Sequence, residues 1–381
     1  MHMKKNIFLI TIITLIVYPV IYLTGQSASA YHYKTMLIKG NTARYPPAEA
    51  KVLGTIGNSF VNRNGLLSDR LEGGKSHGYA LLESMGQIME YSEEVGNEAL
   101  FAAAWQITEK YFRSPNGYFY WRVKEDGLVI DDATALVDEL RLIKALANAG
   151  KQFESPNYTS EAESLTKVVN KYSVYDNYLS DVYESSSNIA AKSISLFYID
   201  PQALQKMTEL DPTVEVTANN TLKILSDAPI NECGFFPDTY DYQTSSYQYK
   251  QEINMVEMLY TARNVYETAG DITPFLNFLK KELVKGHIYN VYSQDGAPSG
   301  DSESTAVYAL ASRLFINTGD KKNAFNCYRK MLSFQIREQG HVLNGAFGDS
   351  DSTTAYAFDQ MEALLTLHAA DEVFPKGTFK G

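Results

Sequence analysis

Apolar positions recur at helical spacing from about residue 46 to near the C-terminus. The pattern predicts twelve helices, near residues 48–64, 75–95, 97–113, 134–149, 159–172, 201–210, 213–227, 250–269, 273–285, 304–318, 320–338 and 355–371. The breaks use residues that stop helices: Gly96-Asn97, Gly150, Gly270-Asp271 and Gly319-Asp320. The second, eighth, tenth and twelfth helices carry small and apolar residues on more than one face, as in GYALLESMGQIM and TAVYALASRLF. A helix apolar most of the way round is buried on most sides. The eleventh, DKKNAFNCYRKMLSFQIRE, keeps a polar face and belongs outside. Twelve helices in alternating outer and inner order make six hairpins closed in a ring, an all-α (α/α)6 barrel. Loops of unequal length and the lack of a fixed repeat period argue against an open solenoid.

In such a ring the inner helices run one way, so the loops entering them gather at one end. Those loops are 67–79, 117–132, 193–200, 231–249, 287–304 and 341–354, all rich in aromatic and acidic residues. An aromatic face packs on the apolar C–H face of a pyranose and leaves its polar edge free. Tyr79, Trp121, Tyr198 and Tyr240 are the candidate platforms, although core packing is the commoner use of any single Tyr. His77 is a candidate contact beside them or a structural histidine. Acid-rich, aromatic loops on one face suit the binding and cutting of sugars.

Net charge changes the list of partners. At −11 the chain is poorly suited to nucleic acid, which needs Lys and Arg against phosphates. A neutral or cationic polymer is the expected ligand, met by a monomer. A lyase on the same barrel would require a cationic groove for uronic acids, against the acidic balance. Lys4 and Lys5 precede an apolar run from Ile7 to Leu23, and Ala28-Ser29-Ala30 follows as a cleavage site. Residues 1–30 therefore read as a signal peptide or an N-terminal membrane anchor, the chain's one expected membrane contact. Either way the rest lies outside the cytoplasmic membrane, secreted or tethered. Residues 31–45 read as an irregular arm, 46–375 as one catalytic domain and 376–381 as a loose tail. Cys233 and Cys327 lie far apart in sequence, and export permits but does not require their pairing. The loops DGAPSGDSES and GAFGDSDSTT lack calcium-loop spacing. Ser304 and Thr353 read there as helix caps. No metal and no cofactor is expected.

Glu72 precedes Gly73-Gly74 and a helix expected from Lys75. Desolvation there would raise its pKa, as a general acid needs. A cap acid favoured by the helix dipole is the competing reading. Asp132 before the fourth helix is an N-cap candidate. Several segments then resemble glycoside hydrolase family 8, in the right order: GKSHGYALL its SEGxGYGMLL signature, IDDATALVDELRLIKAL its A-T-D-A-D element, LFYIDPQAL its N-P-S-Y element, GFFPDTY its L-x-P-D-W segment and SSYQYKQEINMVEMLY its S-Y-D-A-x-R helix start. The resemblance implies an inverting endo-glycosidase on an (α/α)6 barrel, acting without a cofactor on an extracellular β-linked polysaccharide such as a biofilm exopolysaccharide. By spacing to Gly78-Tyr79 the family's acid falls on Lys75, so Glu72, the nearest carboxylate, takes that expected role. The family's base position holds Lys250, and its Arg position Ile253. The base is therefore expected in the neighbouring loop, where Glu232, Asp238, Asp241 and Glu252 are available and Asp238 is preferred. Asp132 is expected to hold the sugar at the cleavage point. A decayed site that binds polysaccharide or assists its synthesis is the alternative.

Overall fold

The computed structural model describes residues 28–39 and 46–374; the leader up to residue 27 and the tail lie outside them. Its helices are α1 (Ala28–Lys39), α2 (Pro47–Thr55), α3 (Leu82–Glu94), α4 (Glu98–Phe112), α5 (Leu136–Gln152), α6 (Pro156–Tyr172), α7 (Pro201–Leu210), α8 (Glu215–Ser226), α9 (Met255–Glu267), α10 (Thr273–Lys285), α11 (Thr305–Asn317), α12 (Lys321–Ser333) and α13 (Ala357–Val373). Helices α3, α5, α7, α9, α11 and α13 each pack on the next, and α13 packs back on α3. That contact closes the inner ring and establishes the expected all-α (α/α)6 barrel. The even-numbered helices lie outside. Short turns join each inner helix to the next outer one, and long loops lead from each outer helix to its inner partner. The six acidic, aromatic loops therefore share the end at which the inner helices begin.

The packing follows from residue choice. Thr305 to Ser312 on α11 are all buried, as an inner helix requires. Gly86 on α3 lets the neighbouring helix approach: a Cβ there would meet Cδ of Arg141 on α5 at 3.0 Å. The first hairpin is tied to the last by Glu49 of α2, which is buried, accepts from the Tyr91 hydroxyl on α3 at 2.6 Å and faces His368 of α13 at 3.8 Å. Caps start the helices at the mouth. Asp200 accepts from the Ala203 N–H ahead of Pro201, Asn254 caps α9 and Ser304 caps α11.

Three expectations change. The arm expected to be irregular is helical over Ala28–Lys39: Ala30, Tyr33 and Leu37, on one face, are buried against the domain. The Ala28-Ser29-Ala30 motif thus begins a docked helix. Residues 75–81, expected as helix, form strand β2 (Lys75–Leu81), paired with β1 (Ser68–Glu72) on one side and β3 (Arg122–Lys124) on the other. Gly73 and Gly74 both have positive φ (58° and 77°), and make the two-residue turn between β1 and β2. Thr353 is not a cap, since α13 begins at Ala357; its carbonyl accepts from the Gly73 N–H. The remaining strands named here are β4 (Ser193–Ser195), β5 (Thr239–Asp241), β6 (Ser246–Gln248), β7 (Glu252–Asn254), β8 (Val291–Ser293) and β9 (Thr354–Tyr356). β9 pairs with β1, so the last mouth loop is stitched to the first.

Candidate functional site

The mouth is ringed by carboxylates on the first turns of inner helices, where the helix dipole favours negative charge. Glu83 is the second residue of α3. Its side chain keeps some exposure yet is surrounded by protein, and desolvation pushes its pKa up to about 8. The charges of Asp138 and Glu362 add to that rise, while Arg141 opposes it. Asp138, on the first turn of α5, is buried and held by Arg141 at 3.1 Å, and its pKa is pushed up to about 6 by burial. The Leu82 N–H donates to the Trp121 carbonyl at 2.9 Å, so Trp121 lies against the strand-to-helix junction that presents Glu83.

Across the mouth, Lys250 bridges two carboxylates: Asp238 at 2.7 Å and Glu257 of α9 at 3.0 Å. Burial, with Asp238 hydrogen-bonded alongside, raises the Glu257 pKa against the pull of Lys250. Asp181 stands close by. Its pKa is pushed up to about 6 by desolvation, with Asp238 contributing, although it accepts from the Ser195 N–H at 2.6 Å and hydroxyl at 3.0 Å. The half-buried Tyr198 links the two sides. Burial raises its pKa first, and the charges of Asp181, Asp138, Glu83 and Glu257 raise it further, so all four lie within electrostatic reach of its hydroxyl. Phe197, Phe236, Asp238, Lys250 and Glu257 line a narrow crevice here.

The expected residues fare unequally. Asp238 and Tyr198 lie in this cluster. Glu72 does not have the raised pKa expected of it. At the tip of the β1–β2 hairpin, its carboxyl accepts from Arg70 Nε at 2.7 Å and lies 3.5 Å from His77, and Arg70 first and His77 after it hold its pKa below the usual range. His77 is exposed beside Arg70, 3.3 Å away. Tyr79, 36 % exposed, and Trp121 share the Arg122 guanidinium, which lies 5.3 Å and 4.3 Å from their ring centres. Asp132 is exposed and is not the helix cap, because α5 starts four residues later after Ala135. The Tyr118 hydroxyl donates to it at 3.4 Å. Tyr240 packs edge-on against Tyr247 and Tyr242. Of the alternative bases, Asp241 is tied into its turn by Thr244, Glu232 is exposed, and Glu252 sits in β7 at the crevice edge. Glu83, Asp181 and Glu257 are the residues that sequence reasoning missed; Asp138 and Arg141 read from the sequence as a structural ion pair, and the two are 3.1 Å apart. Both cysteines are unpaired.

The closed ring of helical hairpins is a fold that family 8 glycoside hydrolases share. A cold-adapted family 8 xylanase superposes with a TM-score of 0.59 at 14% identity, over 87% of this chain and 93% of that one. Among individual proteins, the chain resembles PssZ from Listeria monocytogenes (TM-score 0.70, 24% identity, 85% of this chain and 96% of that one). It is also similar to an α-amylase from Clostridium perfringens (TM-score 0.76, 23% identity, 84% and 97%). In sequence it is 25% identical over 328 residues to the lipoprotein candidate YdaJ of Bacillus subtilis, covering 85% of this chain and 87% of that protein. No protein-family model matches the sequence.

Proposed function

We propose that this chain is an inverting endo-glycosidase that cuts an extracellular, β-linked polysaccharide. The observation that carries this reading is Glu83: a carboxylic acid with a pKa of about 8, at the start of an inner helix in an aromatic-lined mouth. Such a group is protonated at neutral pH and can give its proton to a leaving glycosidic oxygen. Inversion also needs an ionised carboxylate on the far side of the sugar, with room for a water. Asp238 takes that role, with Lys250 and Glu257 fixing its position. Asp138, held by Arg141, and Tyr198 between the two sides take the sugar-orienting part expected of Asp132. Trp121 and Tyr79 extend the mouth toward neighbouring sugar units.

The β-linkage rests on the likeness to family 8, including a xylanase. The likeness to an α-amylase makes α-glucan the necessary control. The name of YdaJ as a lipoprotein candidate supports a tethered, extracytoplasmic setting, as does the leader. A second reading has its own observation. Lys250 occupies one oxygen of Asp238 at 2.7 Å, which takes that oxygen from an attacking water and suits a protein that binds polysaccharide without cutting it. Reducing-end release from a β-glucan, an exopolysaccharide preparation and an α-glucan, by wild type and Glu83→Gln, separates the two. Proton NMR of the first-formed anomer tests inversion. Release by wild type alone supports the hydrolase; no release from any polymer that the protein binds favours the second reading.

A further inference from the structure

We infer that the mouth carries an oxyanion-binding subsite, built from Arg63 and Lys124 beside Tyr79, which takes an acidic substituent on the polysaccharide. This deepens the hydrolase reading and rests on it for the substrate. The subsite is a cavity of about 770 Å³ next to the β1–β2–β3 sheet, lined by Asn62, Arg63, Arg70, His77, Tyr79 and Lys124 together with Glu125 and Asp126. Its charged groups differ in their partners: Glu125 and Asp126 accept hydrogen bonds from neutral donors, and Arg70 is ion-paired. Arg70 is held by Glu72 and by Asp69 at 3.2 Å. A Glu125 oxygen accepts from the Ser68 hydroxyl at 3.0 Å, and an Asp126 oxygen accepts from the Leu128 N–H at 3.1 Å. Arg63 and Lys124 have no acidic partner among the described residues and are both exposed. Two uncommitted cations facing one cavity are notable in a chain of net charge −11, whose overall field repels anions.

The position suits a subsite of the same substrate chain. Tyr79 lines the cavity and precedes Glu83 by four residues, so their Cα atoms lie within about 15 Å of each other. That is within reach of neighbouring units of one polysaccharide. Tyr79 offers its ring to a pyranose, while Arg63 and Lys124 offer charge-assisted hydrogen bonds to an oxyanion on it. The shared chemistry is an oxyanion, either the carboxylate of a uronic acid or a phosphate ester.

The experiment is calorimetric binding to the Glu83→Gln protein, full chain, with three probes: a neutral β-glucan oligosaccharide, a β-linked oligoglucuronide and a phosphorylated β-glucan oligosaccharide. At least one acidic probe is expected to bind about tenfold more tightly than the neutral one, the preference shrinking as salt screens it. Arg63→Ala with Lys124→Ala should abolish that preference and leave neutral binding within about twofold. Whichever acidic probe shows the preference identifies the source of the oxyanion. Equal affinity for all three probes, or an acidic preference that survives the double substitution, overturns the subsite. Reducing-end release from neutral β-glucan by the wild type reports on the hydrolase reading separately. Unsaturated products from the oligoglucuronide would leave the subsite standing and overturn hydrolysis in favour of elimination.

Discussion

Glu83→Gln is the perturbation with the most to say about the chemistry. With a pKa of about 8, Glu83 is about nine-tenths protonated at pH 7, whereas a carboxyl at its usual 4.5 would be protonated in about one molecule in three hundred. A general acid so placed contributes about 10²–10⁴ in rate. Glu83→Gln should therefore lose that factor from kcat on polysaccharide while KM changes little. The wild-type kcat/KM should fall above about pH 8, where free Glu83 gives up its proton. Asp138→Asn removes a carboxylate whose charge lifts Glu83 and leaves Arg141 opposing the rise, so this alkaline limb should move to lower pH. The assay is reducing-end release across pH 5–10 for the three proteins, with an aryl oligoglycoside as second substrate. A phenol that leaves without protonation should recover most of the activity of Glu83→Gln, which a merely misfolded variant would not do. Glu72→Gln, at the exposed hairpin tip, should stay within about threefold of wild type. Full activity in Glu83→Gln, or its loss in Glu72→Gln alone, would refute the assignment.

Three further outcomes test the scaffold. Glu139 is buried on the first turn of α5 with its pKa raised to about 8, so the folded state keeps a proton that the unfolded chain releases above about 4.5. Folding stability should fall as pH rises through that window, and Glu139→Gln, still able to accept from the Phe119 N–H, should flatten the loss by a few kcal/mol in denaturant melts at pH 5 and 8. Glu362 is buried and gathers Gln87, Tyr260 and Arg313, so Glu362→Ala should cost about 3–5 kcal/mol in the same melts. Leu37→Ala, at a buried position of the docked α1, should cost about 2–4 kcal/mol in the same melts, and no measurable loss would refute the docking.

The helical frame was legible because it is written in local periodicity. The twelve expected helices are all present, and those at 201–210 and 273–285 match to the residue. Their alternation between outer and inner places follows from which faces are apolar, and the ring from that alternation. Features that depend on distant partners were not legible. α1 is short and adjoins the leader, and its stripe of Ala30, Tyr33 and Leu37 acquires meaning only from the surface it covers. β2 carries a segment that continues smoothly into α3, and only pairing with β1 and β3 makes it a strand.

That single boundary accounts for the shift of the proposed acid from Glu72 to Glu83. With a helix assumed from Lys75, Glu83 falls more than two turns inside it, where a carboxylate reads as one polar position on a buried helix, and Glu72 appears to stand at the helix entry. Two facts undo this. Gly73-Gly74 at positive φ is a hairpin turn between extended strands, which puts Glu72 at a solvent-facing tip within reach of Arg70. The helix then begins at Leu82, and the entry position passes to Glu83. Both readings rest on one environment: a carboxyl at the start of a buried helix, deprived of water. The hairpin moves that environment eleven residues along the chain, and the proposed acid moves with it. Asp132 shows the same effect on a smaller scale, since α5 begins at Leu136 and its first turn presents Asp138. At both inner helices the carboxylate presented at the mouth is decided by where the helix starts, and the loops decide that by strand pairing and bridges that local periodicity does not encode.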